Sequence, residues 1–308
     1  MIGLGKYPNL VTLTEVLGRA EQGGYAVGSF SPRYTPLIGA VMGAAEKCKS
    51  PVIVQISSRE LKKYGITVDE FAEEFYRVLR EEKTSVPVVL HLDHTRDKAL
   101  IEEAIAVGFT SVMIDASHEE FDQNAALTKE IVEYAHPRGV SVEAELGRIG
   151  TTDFIETDTD EELFTVPEEA REFVEQTKVD ALAVSVGTAH GVYMIRQPRI
   201  DLERVRKIRE LTNVHLVLHG GSGVPSEMIR QAIQSPGGGI SKVNIATDLE
   251  IAFLAAIGRE ESMTNKECCA LPPSMLRVGR EAVEKTVMEK MTYFLGSEGK
   301  AAEKSSGK

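Results

Sequence analysis

Two histidines and an aspartate follow a short apolar run, within four positions of one another. The run Val86–Leu90 is rich in β-branched residues and leads into His91, Asp93 and His94. We predict a buried strand here, with Pro87 at its start, because such strands are short and apolar. Imidazoles and a carboxylate are costly to bury unless they pair with one another or hold a metal ion. The carboxyl end of this strand is therefore predicted to carry chemistry.

Imidazoles also follow two other predicted strands, at His190 and His219. Three histidines with one open position form a catalytic zinc arrangement, in which the metal polarises a carbonyl or activates water. The alternative is that each histidine is a hydrogen-bonded structural residue. Asp93 could likewise be a general acid/base or only orient a histidine. The residues at the predicted strand ends are Ser57, His91, Asp93, His94, Asp115, Ser117, Glu145, His190, His219 and Asn244.

A glycine-rich turn follows the seventh predicted strand, and its backbone N–H groups precede a helix start. Its sequence is His219-Gly220-Gly221-Ser222-Gly223. Such turns bind anions, although this one could equally be a flexible connection. Barrels often hold phosphate in the loops after strands seven and eight. Because Asn244-Ile245-Ala246-Thr247 follows the eighth strand, we predict that the two loops together form a phosphate site.

The elements that must position these residues are short β-rich runs alternating with amphipathic helices. Parallel strands joined by crossover helices are typical of an α/β fold, and eight such units fit a closed (β/α)8 TIM barrel. We predict one barrel domain over residues 1–296, ending with a helix over Leu276–Leu295, and a disordered tail over 297–308. The predicted strands are Tyr25–Ser29, Val52–Ile56, Val86–Leu90, Ser111–Ile114, Ser141–Glu145, Ala181–Val184, His215–Leu218 and Ile240–Ile245.

Composition narrows the class of protein. The 308 residues carry a formal net charge of -12, which disfavours nucleic acid as a partner because phosphates repel an acidic surface. Three cysteines, Cys48, Cys268 and Cys269, form no disulfide framework, as expected in a reducing compartment. No window of eighteen uncharged apolar residues predicts a membrane span, and Met1–Leu10 has no signal-peptide pattern. We therefore expect a cytoplasmic protein without a membrane partner.

Sequence blocks along almost the whole chain resemble the class II, zinc-dependent ketose-bisphosphate aldolases. They include His-Leu-Asp-His, Ser-Val-Met-Ile-Asp-Ala-Ser-His, Val-Glu-Ala-Glu-Leu-Gly, Gly-Thr-Ala-His-Gly-Val-Tyr, His-Gly-Gly-Ser-Gly and Lys-Val-Asn-Ile-Ala-Thr, in this order. The resemblance implies reversible cleavage of a ketose 1-phosphate to dihydroxyacetone phosphate and an aldehyde. It also implies a homodimer or homotetramer.

The resemblance also implies a role for individual residues. Asp93 would carry the proton of the C4 hydroxyl. Asp115 and Glu145 would be accessory metal carboxylates, and a second divalent or monovalent cation could bind beside them. The implied zinc ligands are His94, His190 and His219. The implied cradle for the phosphate and the enediolate comprises Gly191, Gly220, Gly221, Ser222, Asn244, Ile245, Ala246 and Thr247.

The chain departs from the family pattern in the loops on the aldehyde side. Ser31 replaces a common asparagine, Arg33 and Arg59 are additional cations, and Ser57 precedes a changed loop. The two arginines could bind an anion at the far end of the sugar or lie solvated on the surface. In the acidic loop over 150–164, Asp153 and Glu156 are candidates for the residue that exchanges the C3 proton. Ala246 stands where fructose-bisphosphate enzymes often have aspartate and tagatose-type members have alanine.

Several alternatives follow from these departures. Within the class, tagatose 1,6-bisphosphate or 6-deoxy-6-sulfofructose 1-phosphate could replace fructose 1,6-bisphosphate as substrate. Outside it, the pattern also suits a zinc hydrolase on a barrel, or a phosphosugar-binding module without catalysis. A Schiff-base aldolase needs a reactive lysine, for which Lys242 is the nearest candidate.

Overall fold

Eight parallel strands hydrogen-bond to one another in chain order, and the last pairs with the first, so the sheet closes into a barrel. The computed structural model describes residues 6–82, 84–150, 163–191 and 198–302. The predicted (β/α)8 fold is confirmed. The strands are β1 (Val27–Phe30), β2 (Val52–Ser57), β3 (Val88–Thr95), β4 (Ser111–Ile114), β5 (Ser141–Leu146), β6 (Ala181–Val184), β7 (His215–Leu218) and β8 (Ile240–Ile245).

The helices pack around this barrel through their apolar faces. The fourth helix shows why they form: Thr67 and Glu70 make a capping box at its start, and Phe71, Phe75 and Val78 are buried on one side. The helices are α1 (Leu13–Gly23), α2 (Ile38–Cys48), α3 (Ser58–Tyr64), α4 (Val68–Glu81), α5 (Lys98–Val107), α6 (Phe121–Ala135), α7 (Pro167–Thr177), α8 (Leu202–Leu211), α9 (Ser226–Ile233), α10 (Thr247–Ala256), α11 (Asn265–Cys269) and α12 (Pro273–Glu289).

Strand β3 is longer at its carboxyl end than the sequence predicted. The predicted run ended at Leu90, whereas the strand continues to Thr95 and includes the polar cluster. Continuation is possible because the polar side chains find partners inside the barrel. His91 Nδ1 lies 2.8 Å from Ser111 Oγ on β4, and Asp93 accepts a hydrogen bond from Gln55 on β2. The chemistry therefore lies on the strand itself rather than after it.

The interior of the barrel is apolar near the amino ends of the strands and polar further along them, towards their carboxyl ends. Leu13, Val16 and Leu17 of α1 pack against Ile53 and Val89, closing the first end of the barrel. Further along the strands, the buried side chains are charged or hydrogen-bonding. They include Ser29, Gln55, His91, Ser111, Glu143 and Lys242.

The carboxyl-terminal boundary also differs from the expectation. The final helix begins at Pro273 and continues as a π-helix over Lys290–Phe294. Ser297 is fully buried and its hydroxyl lies 2.8 Å from that of Ser50. Ser297 is therefore packed against the rest of the protein, and the described residues continue to 302, whereas 303–308 lie outside them. Within the described ranges, no helix has the length and apolarity needed to cross a membrane.

Candidate active site

Three histidines from three different strands meet at the carboxyl-terminal mouth of the barrel. His94 is near the end of β3, whereas His190 and His219 follow β6 and β7. One ring nitrogen of each lies within 4.8 Å of the others. The distances between ring centroids run from 4.5 to 5.7 Å. The three residues predicted as a set are thus brought together.

Asp115 at the end of β4 fixes the orientation of the His94 ring. Its Oδ2 lies 2.9 Å from His94 Nδ1, while its Oδ1 accepts a hydrogen bond from the Ser117 hydroxyl. The backbone of His94 has a φ of 31°, a strained value for a residue with a side chain. Ser58 Oγ donates to the His94 carbonyl at 2.7 Å, which helps to hold this conformation. These contacts leave the opposite ring nitrogen, Nε2, towards the other histidines.

Glu143 on β5 orients the His219 ring in the same way. Its Oε1 lies 2.9 Å from His219 Nε2, so Nδ1 is the free nitrogen of that ring. Among the described residues, His94 Nε2 and His219 Nδ1 are buried and have no hydrogen-bond partner. Buried imidazole nitrogens are normally satisfied, and neutral imidazole is a preferred zinc ligand. The donor set therefore fits a zinc ion, with Glu145 Oε2 3.4 Å from His219 Nδ1 as a further oxygen nearby.

The pKa values of His94 and His190 are shifted in opposite directions. Burial, together with the positive charge of His94 and His219, lowers the pKa of His190 to about 3. Burial also acts to lower the pKa of His94, but the charge of Asp93 and the hydrogen bond that the ring donates to Asp115 raise it to about 10. The carboxylates thus stabilise positive charge at the centre of the cluster. A divalent cation can supply that charge while all three rings are neutral ligands.

Asp93 is held as a buried carboxylate beside the histidines. Gln55 donates to its Oδ2 at 3.2 Å and Asn244 donates to its Oδ1 at 3.0 Å. Burial acts to raise the pKa of Asp93, but the charges of His94 and Lys242, among others, hold it well below its usual value. The carboxylate is therefore ionised at neutral pH and has a fixed orientation. An ionised carboxylate in this position can accept a proton from a bound molecule.

The loop after β7 lies so close to the loop after β6 and to strand β8 that only glycine fits. A Cβ added to Gly220, which has a φ of 66°, would lie 2.3 Å from the Ala189 carbonyl oxygen. A Cβ on Gly221 would lie 2.5 Å from a methyl group of Val243. The Ser222 hydroxyl accepts hydrogen bonds from the amides of Ala246 and Asp248. Of the other predicted cradle positions, Gly191 lies in the loop after β6, Asn244 and Ile245 end β8, and Thr247 begins α10.

The predicted aldehyde-side arginines differ in their surroundings. Arg33 is largely buried, has a φ of 63°, and forms ion pairs with Glu60 and Glu250. Its guanidinium group also donates to Thr247 Oγ1 at 3.3 Å. Arg59, in contrast, is exposed on α3 and has no ion pair among the described residues. The positive charge of Arg33 is thus balanced by two carboxylates.

Two serines predicted on this side have structural partners. Ser57 caps α3 by accepting a hydrogen bond from the Glu60 amide, and the Ser31 hydroxyl donates to the Glu60 carboxylate at 2.8 Å. Glu60 therefore connects the ends of β1 and β2. The candidates for C3 proton exchange, Asp153 and Glu156, lie outside the described residues.

Comparison with known proteins identifies the family. Residues 11–300 match the family described as "Fructose-bisphosphate aldolase class-II". The chain belongs to this family. Fructose-bisphosphate aldolase of Geobacillus stearothermophilus is 40% identical over 299 residues, covering 96% of this chain and all of the relative. That of Thermus caldophilus is 39% identical over 313 residues, covering 95% and 100%. The protein is accordingly an enzyme, a class II aldolase of the aldehyde-lyases.

Solved structures of aldolases share the fold of this chain. The YdjI aldolase of Escherichia coli K12 superposes with a TM-score of 0.80 at 34% identity, covering 95% of this chain and 99% of that one. A putative fructose-1,6-biphosphate aldolase from Coccidioides immitis has the same TM-score at 29% identity, covering 96% and 98%. The class II family is zinc-dependent, and the histidine cluster of this aldolase is a possible metal-binding group.

The sequence analysis of this aldolase missed two inward-pointing residues next to the site, Gln55 and Glu143, and considered Lys242 only as a Schiff-base candidate. Gln55 and Glu143 contact Asp93 and His219, while Lys242 is fully buried and pairs with Glu143. Gln55 is the lone polar residue of an apolar run, which is a usable signal, whereas Glu143 and Lys242 share their strands with other polar residues. The burial and pairing of Lys242 disfavour its use as a Schiff-base nucleophile.

Proposed function

We propose that this aldolase reversibly cleaves a ketose 1-phosphate into dihydroxyacetone phosphate and an aldehyde, with zinc held by His94, His190 and His219. The observation that carries the proposal is the pair of buried ring nitrogens, His94 Nε2 and His219 Nδ1, without partners among the described residues. Both face a shared centre, and the second nitrogen of each ring is bound by a carboxylate. Such carboxylate–histidine pairs are typical of zinc sites.

In the cleavage direction, the bond between C3 and C4 of the sugar breaks. Asp93 accepts the proton of the C4 hydroxyl, so that C4 becomes the carbonyl carbon of the aldehyde. The electron pair of the broken bond stays on the dihydroxyacetone phosphate half, which later takes up a proton at C3. Zinc, when bound, supplies a Lewis acid for the C2 carbonyl. We propose Asp153 or Glu156 as the residue that exchanges the C3 proton.

The phosphate of the donor half is proposed to bind between the loops that follow β6, β7 and β8. Gly220 and Gly221 allow the loop after β7 to pack directly against the Ala189 carbonyl and Val243, where a Cβ would collide, and Asn244 already donates to Asp93. Asp115 and Glu145 are proposed as accessory carboxylates, the first through its contact with His94, and a second cation is proposed near them. The proposed cradle residues are Gly191, Gly220, Gly221, Ser222, Asn244, Ile245, Ala246 and Thr247.

The aldehyde half is proposed to contact the loops after β1 and β2, near Ser31, Arg33, Ser57 and Arg59. The substrates proposed for comparison are tagatose 1,6-bisphosphate, 6-deoxy-6-sulfofructose 1-phosphate and fructose 1,6-bisphosphate. We further propose a cytoplasmic homodimer or homotetramer.

The test is release of dihydroxyacetone phosphate from these three sugars, measured before and after metal removal. We expect a chelator to abolish cleavage, zinc to restore it, and His94→Ala to bind no zinc. His136→Ala is the control, because His136 pairs with Asp180 on the surface away from the cluster. Full activity after metal removal, with substrate trapped by borohydride, would instead indicate a Schiff-base enzyme. A strong preference for fructose 1,6-bisphosphate would contradict an altered aldehyde half.

A further inference from the structure

A fully buried ion pair lies inside the barrel beneath the histidine cluster. Glu143 on β5 and Lys242 on β8 are both 0% exposed, and Lys242 Nζ donates to Glu143 Oε2 at 2.7 Å. Isolated charges are strongly disfavoured in such an environment, so each side chain depends on the other. The pair connects opposite parts of the barrel wall at the height where the polar interior begins.

Lys242 has a second contact that limits its movement. Its Nζ lies 3.4 Å from Nε2 of His91, whose other ring nitrogen lies 2.8 Å from Ser111 Oγ. The ammonium group is therefore held between β3 and β5 and cannot turn away from Glu143 without losing both partners. It anchors one oxygen of Glu143 in a fixed place.

The other oxygen of Glu143 faces the candidate zinc ligand His219. An ionised carboxylate can only accept hydrogen bonds, so the contact of 2.9 Å requires the hydrogen of this ring to be on Nε2. The lone pair is then on Nδ1, the buried nitrogen without a partner among the described residues. Glu143, inside the barrel, thus determines which ring nitrogen of His219 faces the cluster without a hydrogen.

We propose that Glu143 and Lys242 are positioning residues for the metal centre. Lys242 fixes the carboxylate of Glu143, and Glu143 selects the His219 tautomer whose Nδ1 can bind the metal. This inference rests on the proposed zinc site. It assigns a function to a buried ion pair that makes no contact with the reacting atoms. It also predicts that the two residues act in series, which means that Lys242 affects His219 only through Glu143.

The test measures the zinc dissociation constant of four variants by competition with a chromophoric chelator. The variants are Lys242→Met, Glu143→Leu, their double variant, and Val89→Ala as a control for lost interior packing, since Val89 is buried in the apolar end of the barrel. Removing a partner that orients a metal-bound histidine typically weakens metal binding about 10–100-fold. We expect losses of this size for both single variants and less than about a threefold loss for Val89→Ala.

The double variant tests whether the residues act in series. Lys242→Met should change zinc affinity by less than about twofold when Glu143 is already Leu, because the carboxylate that Lys242 fixes is then absent. Replacing a buried ion pair by apolar residues usually permits folding, so this variant is informative even where Lys242→Met alone fails to fold. In ¹⁵N-histidine NMR spectra, the Nε2–H signal of His219 should be lost from its hydrogen-bonded position.

Two results separate this inference from the proposed function. A folded double variant that binds zinc within about threefold of the unmodified protein, with the His219 signal unchanged, would overturn the positioning role alone. Zinc uptake that is unaffected by His94→Ala would overturn the proposed metal centre itself.

Discussion

Gln55 donates a hydrogen bond from its amide Nε2 to Oδ2 of Asp93 at 3.2 Å. The orientation of this amide is fixed in turn, because the Ser29 hydroxyl donates to Gln55 Oε1. Three consecutive strands, β1, β2 and β3, thus contribute to the placement of one carboxylate. The position of Asp93 relative to the histidines is consequently a property of the barrel wall rather than of a loop.

Replacing Asp93 by alanine is expected to lower turnover by roughly 10²–10⁴-fold, the usual contribution of a general acid/base. Zinc should stay bound, because Asp93 is not among the three proposed ligands. Steady-state kinetics and metal analysis of the same preparation check this prediction. Asp97→Ala is the control: Asp97 caps α5 two residues after the strand and accepts from the Ala99 amide. Loss of zinc from Asp93→Ala would show a ligand role instead.

Gln55→Leu is expected to lower kcat by about tenfold without a comparable change in KM. A hydrogen bond to a charged group contributes about 1.5–3 kcal/mol, and part of this is lost when the carboxylate can rotate. Asn244 still donates to the other oxygen, so the effect should be smaller than that of Asp93→Ala. Kinetics across a substrate concentration series separates the two constants. An unchanged kcat in a folded variant would mean that Asn244 alone suffices to hold Asp93.

Asp115→Ala is expected to weaken zinc binding about 10–100-fold, because the His94 ring loses the carboxylate that orients it. The hydrogen bond and the charge of His94 lower the pKa of Asp115 despite burial, which is consistent with an ionised partner. Chelator competition measures the affinity. Asp122→Ala, an exposed change in the first turn of α6, is the control. Equal affinities for the two variants would assign Asp115 no part in holding the metal.

The sequence predicted the barrel and the three histidines because both depend on patterns along the chain. Eight alternations of strand and helix define the fold, and the ends of parallel strands converge whatever their exact limits. His91, His94, His190 and His219 could therefore be placed at one mouth from their positions after strands, and the family resemblance selected His94, His190 and His219 as ligands. The same reasoning had no means of finding where β3 ends, since polar residues within a strand resemble the beginning of a loop.

The partners of these residues could not be predicted for a different reason. Glu143 and Lys242 lie 99 positions apart, and their pairing depends on strand register and on which side chains point inward. Helix α3 did carry a signal: Ser57 and Glu60 have capping-box spacing directly after β2. The capping box places Arg59 on an exposed helix. Arg33 is instead largely buried and pairs with Glu250, which belongs to a helix that the sequence analysis did not predict.

Arg33→Met is expected to destabilise the protein by about 2–3 kcal/mol, because Glu60 and Glu250 lose a shared cation in a largely buried site. Urea denaturation measures the change in the free energy of unfolding. Arg59→Met is the matched control and should have an effect within about 0.5 kcal/mol, since Arg59 is exposed. If both variants are equally stable, the guanidinium of Arg33 is instead available to a ligand, and the substrate comparison should be repeated with Arg33→Met.

The stability of the protein should depend on pH through Glu46. Burial acts to raise the pKa of this carboxyl, but hydrogen bonds from Lys49 and from the amide and hydroxyl of Ser85 lower it to about 2. A folded-state pKa below the unfolded value of about 4.5 stabilises the fold above that value, and the contribution is lost as the pH falls towards 2.

Glu46→Gln should therefore lower the free energy of unfolding by about 1–2 kcal/mol at pH 7, a value discounted because the side chain is 29% exposed. The difference from the unmodified protein should shrink steadily between pH 5 and pH 2, provided that both proteins remain folded enough for urea titration. Glu73→Gln, on the exposed face of α4, is the control. A difference that is constant across this pH range would mean that Glu46 stabilises the fold through contacts independent of its charge.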